Sequence, residues 1–184
     1  MADRSFGWRL VRRLKRLVFD ARGVAAVEFA MLLPLMMTLY LGVVEVSQGI
    51  AIARKVTLTT RTLADLASRV STISTSEMND ILAASSSVLA PYPVSNLKVV
   101  LTSVKIDPNG NATVVWSESL NGSKKTPGAS ITLDGALAVP STSLIMSEAE
   151  YAYTPTIGYV VTGTLTLKDK MYMRPRLSAE VKYP

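Results

Sequence analysis

The chain has 184 residues, no Cys, no His and a formal net charge of +6. These absences exclude disulfides, Cys/His zinc sites and nucleophiles activated by His. Residues 1–22 contain seven basic and two acidic side chains, so they carry +5 of the net charge and the rest of the chain is nearly neutral. The basicity therefore belongs to an N-terminal tail, which argues against a nucleic-acid-binding surface on a folded domain.

An apolar segment follows the basic tail. Residues 29–44 contain no charged side chain, and Glu28 and Glu45 bracket them. A helix that starts at Val24 is about 31 Å long over this segment, at about 1.5 Å per residue, which is enough to cross the hydrocarbon core of a bilayer. We therefore predict a transmembrane helix over residues 24–45. The basic leader, residues 1–23, is expected on the cytoplasmic side because positive residues favour that side.

The helical pattern continues beyond the apolar segment. Apolar side chains recur every seven residues at Val56, Leu63 and Val70. A second row beside them consists of Thr59, Leu66 and Ile73. We predict one helix from about Val24 to about Ser71, and its continuation through residues 46–73 is amphipathic.

A short second helix is predicted after the Ser/Thr-rich residues 71–76. Thr75 or Ser76 is expected to cap it, because hydroxyl groups accept hydrogen bonds from the free N–H groups of a first turn. Pro91 and Pro93 follow the helix and end it. The side chains expected to face a core are Met78, Ile81, Leu82, Val88 and Leu89.

From Asn96 onward the composition changes to that of β-strands. The predicted strands, in chain order, are Leu97–Ile106, Ala112–Ser119, Ser143–Tyr153, Tyr159–Leu167 and Tyr172–Tyr183. Asp-Pro-Asn-Gly at 107–110 indicates a turn, residues 120–130 indicate an exposed loop, and Pro175 makes the last strand an edge strand. The predicted fold is α+β: a long helix, a short helix and an antiparallel sheet of four or five strands.

Two carboxylates recur on the predicted strand 143–153. Glu148 and Glu150 are expected on the face opposite Ile145, Ala149, Tyr151 and Tyr153, because side chains alternate along a strand. Without a pocket signature the two carboxylates are expected to be solvated and not to form a glycosidase pair. The sequence contains no phosphate-binding loop, so we predict no catalytic, cofactor or metal residues and expect that the protein is not an enzyme.

The junction between tail and apolar segment reads Arg22-Gly-Val-Ala-Ala-Val-Glu28-Phe29. A basic tail, a glycine, four small or apolar residues and then Glu-Phe resemble the class III signal of type IV pilins. The resemblance implies that a prepilin peptidase cuts between Gly23 and Val24, which makes Glu28 the fifth residue of the mature chain. Gly23 has no side chain to obstruct a narrow groove, and we expect it to break the helix so that the bond is reached in an extended form.

The longer pattern resembles one family. Residues 23–34 followed by Gly42-Val-Val-Glu45 are similar to the TadE-like pseudopilins of tight-adherence (Tad/Flp) pilus systems, and residues 150–155 and 173–176 are loosely similar to that family's sheet region. The resemblance implies a minor pseudopilin of the bacterial inner membrane that acts in pilus assembly, initiation or capping. Its pilin-like α+β domain, residues 74–184, would lie in the periplasm or outside the cell in the pilus. The implied partners are the membrane, the prepilin peptidase, other minor pseudopilins, the major Flp pilin and the inner-membrane assembly platform.

Glu28 and Phe29 are predicted to act in assembly. After the cut, Val24 would carry a free amine about 6 Å along the helix axis from Glu28. A neighbouring subunit shifted by that rise could place its amine against this carboxylate and so pair both charges in a low dielectric. The simplest alternative is that Glu28 is only a carboxylate near a helix N-terminus, which the helix dipole favours.

Two other readings of the anchor stay open. The first is an uncleaved single-pass anchor attached to an unrelated periplasmic binding module. The second is an exported soluble protein whose signal peptide is cut after Ala53, because Ala51-Ile52-Ala53 matches an A-x-A cleavage site. The mature N-terminus distinguishes them, because it would be Val24 for a pseudopilin, Met1 for an uncleaved anchor and Arg54 for an exported protein.

Overall fold

The computed structural model describes residues 15–16, 21–155, 158 and 162–184. Most of the predicted leader therefore lies outside the described residues. The described part forms one long helix, one short helix and an antiparallel sheet, and the predicted α+β class is confirmed. The α-helices and strands are α1 (Ala21–Ser68), α2 (Thr75–Leu89), β1 (Leu97–Ile106), β2 (Ala112–Leu120), β3 (Ser130–Ile131), β4 (Ser143–Tyr153) and β5 (Leu165–Met173).

Helix α1 is 48 residues long and continues through Pro34. Its bounds agree with the single long helix predicted from the seven-residue spacing. The predicted break at Gly23 is wrong, because Gly23 is helical and α1 is continuous from Ala21 through it. One glycine costs a helix only about 1 kcal/mol, which helix-forming neighbours can offset.

Helix α2 begins one or two residues earlier than predicted. Its cap is Ser74, not Thr75 or Ser76: the Ser74 hydroxyl accepts the backbone N–H of Glu77, and the Glu77 carboxylate accepts the backbone N–H of Ser74. This reciprocal pair is a capping box. At the other end, the ammonium of Lys55 on α1 donates a 3.0 Å hydrogen bond to the carbonyl of Val88. Both ends of α2 thus have polar partners.

The five strands form one antiparallel sheet in the order β3-β2-β1-β4-β5. Strands β1 and β2 are joined by the predicted turn, where the Asp107 carboxylate accepts backbone N–H groups of Asn109 and Asn111. Hydrogen bonds from Asn111 and neighbouring backbone hold the pKa of Asp107 below its usual value. Gly110 takes a φ of +88° there, which only glycine adopts readily. Strand β1 is central, and β4 pairs with it along nearly its whole length.

Both helices cover one face of the sheet and form the helix-facing core. The predicted stripe is confirmed, since Val56 and Leu63 are buried and Val70 is half-buried against this core. The sheet contributes the predicted face of β4, including Ile145 and Tyr151. On the other face a smaller core is covered by residues 131–139 and contains Val104, Ile106, Ala112, Leu144 and Met146. Of the residues predicted to face the core from α2, Met78, Leu82 and Leu89 are buried, and Ile81 and Val88 are half-buried.

The C-terminal part differs from the prediction. The last strand is β5, which pairs with β4 from Met173 opposite Ile145 to Leu165 opposite Tyr153. A strand over residues 159–167 is wrong for 162–164, which are not in a strand, and residues 159–161 lie outside the described residues. The edge strand predicted over 172–183 is also wrong. The chain leaves the sheet after Met173, next to Pro175, which has no N–H to donate to a ladder.

Residues 174–184 instead cross back toward the helices and are here called the C-terminal strap. Lys182 exchanges backbone hydrogen bonds with Ser71 and Ile73 at 3.0 and 2.9 Å. Val181 is fully buried in the helix-facing core.

Strand β3 also differs from the prediction. It is a two-residue strand at the end of the loop predicted over 120–130, and it pairs with Ala112 and Thr113 of β2.

Candidate functional site

The N-terminal part of α1 projects from the folded domain. An 18-residue window of this helix has a mean hydropathy of 1.9, and none of it is buried by the rest of the described chain. Phe29 and Met36 are 59% and 57% exposed. By length and composition this helix can cross a membrane. One apolar helix near the N-terminus indicates single-pass membrane anchoring.

The residues predicted for processing and assembly lie in the part of α1 that is furthest from the sheet domain. A Cβ atom built on Gly23 would meet no atom within 4 Å. Val24, Glu28 and Phe29 are all exposed on the same part of the helix. Val24 and Glu28 are four residues apart and therefore share a helix face. The structure brings these four residues together on one exposed part of the helix, where no described part of the domain packs against them.

The junction between the apolar helix and the sheet contains a residue that sequence reasoning did not single out. Glu45 is only 2% exposed. The hydroxyl of Tyr153, at the end of β4, donates a long hydrogen bond of 3.5 Å to the backbone carbonyl oxygen of Glu45. Gly49, one turn along α1, leaves room for the Tyr153 ring, which lies 3.5 Å from where a Cβ would be. Burial raises the pKa of Tyr153, as does the nearby Glu45.

A signal for this junction is present in the sequence. Counting back by sevens from Thr59 gives Ile52 and then Glu45, and counting back from Val56 gives Gly49. The buried stripe of α1 therefore extends two turns further toward the apolar segment than the apolar residues alone indicate. Glu45 lies on the stripe that packs against the sheet and is not simply the polar end of the membrane segment.

Charged side chains on the outer face of the sheet pair with one another. Glu148 accepts from Lys125 and Lys170 at 2.8 and 2.7 Å, and Glu150 pairs with Lys168 at 2.5 Å. Burial alone would raise the pKa of Glu148, but hydrogen bonds and charge from the two lysines outweigh it and lower the pKa. These carboxylates are engaged in ion pairs and are not simply solvated as predicted. They line only a shallow surface depression.

The described residues contain no group of three or more His, Cys, Asp or Glu side chains placed to hold a metal ion. The main feature of the described chain is an exposed apolar helix that is joined to a sheet domain at the buried residue Glu45. The family model described as TadE-like protein matches residues 23–65.

Residues 23–65 are a TadE-like segment. The match confirms the resemblance read from the sequence, and it begins at the predicted cleavage glycine. The TadE-like segment covers most of α1 and ends at Asp65, before α2 and the sheet. Comparisons with curated proteins and with solved structures find no significant match.

The TadE-like segment indicates involvement in Tad pilus systems, whose TadE-like proteins are structural and not enzymatic. It also indicates association with a membrane and with pilus components. The loose similarities at residues 150–155 and 173–176 lie outside the matched residues. In the structure these two stretches lie at opposite ends of the paired strands β4 and β5.

Proposed function

We propose that this protein is a minor pseudopilin of a Tad/Flp-type pilus, which acts in pilus assembly, initiation or capping after cleavage by a prepilin peptidase. In this proposal residues 1–23 are a cytoplasmic leader and residues 24–45 span the inner membrane. Residues 46–73, which are helical as far as Ser68, lie on the periplasmic side and carry the domain of residues 74–184. The observation that carries the proposal is the match to the TadE-like family, which starts at Gly23 and coincides with an exposed apolar helix.

The geometry around Gly23 supports cleavage at this point. Gly23 and Val24 are exposed in the part of α1 that projects from the domain, so unwinding the helix around their peptide bond breaks no packing against the described domain. No described side chain packs where its Cβ would be. A substitution at Gly23 therefore reports on processing with little effect on the fold of the domain.

The test is the mature N-terminus of the full chain, measured by mass spectrometry in cells with and without an active prepilin peptidase. We expect Val24 as the first residue with the peptidase and an intact N-terminus without it. Gly23→Arg should leave a longer membrane-bound precursor, because a bulky charged side chain does not enter a narrow protease groove. Ala21→Arg adds the same charge two residues earlier and should be cut normally. Equal migration of wild type and Gly23→Arg in peptidase-positive cells contradicts the proposal.

The structure also bears on the exported alternative. A cut after Ala53 would separate Glu45, Gly49 and Ile52 from the domain that they pack against. Ile52 is only 3% exposed, so its loss would open the helix-facing core. This packing favours a chain in which α1 stays continuous with the domain.

We further propose that Glu28 and Phe29 contact a neighbouring subunit in the membrane. A charged group at the bilayer centre costs about 2.5–3.5 kcal/mol and less toward the interface, so pairing with a neighbour's new N-terminal amine is favourable. Glu28→Ala should be inserted and cut normally but fail to co-purify with partner pilins, whereas Glu28→Asp should retain partial binding. Loss of cleavage with partner binding intact would assign Glu28 to peptidase recognition. Unchanged pilus output would refute the assembly role.

A further inference from the structure

The domain has two ends, and their charge differs. The end near Glu45 is here called the anchor end; it consists of the turn at residues 90–97, the turn at 121–122, the last residues of β4 and the first residues of β5. Strand β1 runs away from it for ten residues, or about 33 Å at about 3.3 Å per residue, to the turn at Asp107. The far end holds charged side chains that include Arg69, Lys105, Asp107, Arg176, Glu180 and Lys182.

The segments at the anchor end carry no charge. No Asp, Glu, Lys or Arg occurs between Asp80 and Lys98, or between Glu150 and Lys168, although each interval is 17 residues long. The turn that includes Asn121 is also uncharged from residue 119 to residue 123. The described residues of these stretches that lie at the anchor end are therefore uncharged, in a chain in which 18% of residues are charged.

The anchor end is level with the end of the apolar helix segment. The Tyr153 hydroxyl reaches the carbonyl of Glu45, the first charged residue after the uncharged residues 29–44. Beyond Tyr153, the hydroxyls of Thr154 and Thr164 lie 2.9 Å apart and join the two strands, and Leu165 is 42% exposed. On α1 itself, Leu41 and Gly42 are half-buried although the residues before Thr38 are exposed. The reduced exposure of α1 therefore begins before Glu45, within the uncharged segment.

We propose that the anchor end of the domain rests on the lipid surface, with Leu165 and the hydrogen-bonded pair of Thr154 and Thr164 in the headgroup layer. This proposal depends on the insertion of α1 proposed above. Uncharged Thr, Ser, Asn and Tyr side chains enter the interface without the desolvation cost of an ion, and Tyr is enriched at that depth. The first charges met along β1, β4 and β5 are those of Lys98, Glu150 and Lys168, which lie side by side. Because Glu150 pairs with Lys168, this row has a net charge of +1, which suits the phosphate layer. The contact would hold the sheet in a fixed orientation on the membrane.

The test uses the absence of Cys, which makes every introduced cysteine a unique labelling position. Three variants of the full chain are compared in nanodiscs of phosphatidylcholine and phosphatidylglycerol: Leu165→Cys at the anchor end, Asn109→Cys in the exposed far turn and Met36→Cys in the apolar helix. Each is labelled with an environment-sensitive fluorophore. Emission is measured without a quencher, with a phospholipid that carries a nitroxide near its headgroup (the headgroup quencher), and with one that carries a nitroxide halfway along its acyl chain (the acyl-chain quencher).

We expect the label at position 165 to emit at shorter wavelength in nanodiscs than in detergent and to lose fluorescence with the headgroup quencher. The label at position 109 should do neither. Quenching at position 36 by the acyl-chain quencher without quenching at position 165 by the headgroup quencher overturns the surface contact and leaves the membrane anchor standing. No quenching at position 36 by the acyl-chain quencher overturns the insertion of α1, and the surface contact with it.

Discussion

The indole nitrogen of Trp116 donates a 2.8 Å hydrogen bond to the carbonyl oxygen of Val181, 65 residues later in the chain. Trp116 lies on β2, and Val181 lies in the C-terminal strap, whose Tyr183 ring also packs at 5.6 Å from the indole. Both residues of the hydrogen bond are buried. The strap is therefore part of the helix-facing core, and a domain that ends before it is incomplete.

Replacing Trp116 by Phe should destabilise the domain by about 1–3 kcal/mol, because the buried carbonyl of Val181 loses its donor. The measurement is chemical unfolding of a fragment spanning residues 44–184. Deleting residues 180–184 should destabilise it at least as much. Since both changes break the same contact, their effects should be less than additive. Full additivity would show that the strap and Trp116 act independently.

The fragment 44–184 should itself melt cooperatively with a mixed helix and sheet circular dichroism spectrum, because it retains both cores. Within it, Ile52→Ala should cost about 2–5 kcal/mol, as expected for emptying a fully packed position. Ile50→Ala is the matched control: Ile50 is 50% exposed whereas Ile52 is 3% exposed, so the control should change stability by no more than about 0.5 kcal/mol. Equal effects at both positions would contradict the packing of α1 on the sheet.

The capping box of α2 provides a third prediction. Ser74→Ala removes the hydroxyl that accepts the Glu77 N–H and should cost about 1 kcal/mol. Ser87→Ala, at an exposed position of the same helix, should be neutral or slightly stabilising because Ala is the better helix former. Thermal unfolding of the two variants distinguishes the cap from a general effect of losing a serine. Equal melting temperatures would place the N-terminus of α2 elsewhere.

The lowered pKa of Glu148 predicts a dependence of stability on pH. Because the folded-state pKa lies below the unfolded value, the carboxylate stabilises the fold above its ordinary pKa, and this contribution is lost as the pH falls through the folded value. Glu148→Gln should therefore lower the melting temperature at pH 7 and converge with wild type in acid. The difference should not exceed about 1 kcal/mol, since the ion pairs are partly exposed and screened.

A second substitution tests the cause of this effect. Lys170→Gln removes a partner that lies 2.7 Å from Glu148 and should weaken the same acid-dependent contribution. Lys182→Gln changes the net charge equally but lies on the C-terminal strap, and it should leave the acid transition as in wild type. An effect of equal size from Lys182→Gln would attribute the pH dependence to net charge and not to the ion pairs of Glu148.

Local, regular sequence patterns predicted several elements of secondary structure correctly. The seven-residue spacing of Val56 and Leu63 predicted one uninterrupted helix, because a buried helix face must repeat with the helical period. The bounds of β1 and of β4 followed from β-branched composition and alternation, and Asp107 with Gly110 marked the turn correctly. The TadE-like resemblance was likewise present in residues 23–34 and 42–45. The candidate site of Gly23, Val24, Glu28 and Phe29 came from that local pattern alone.

Contacts between residues that are distant in sequence were determined only by the tertiary structure. The seven-residue spacing places Glu45 on the buried stripe, but it does not indicate that the end of β4, with Tyr153 108 residues later, contacts it. The extent of β5 is determined by its register against β4, so strand-like residues near Tyr159 and Tyr183 were poor guides to its ends. The strap is buried because Val181 and Trp116 meet across the core. A sequence pattern specifies which face of an element is apolar, but which surface buries that face depends on how all the elements pack together.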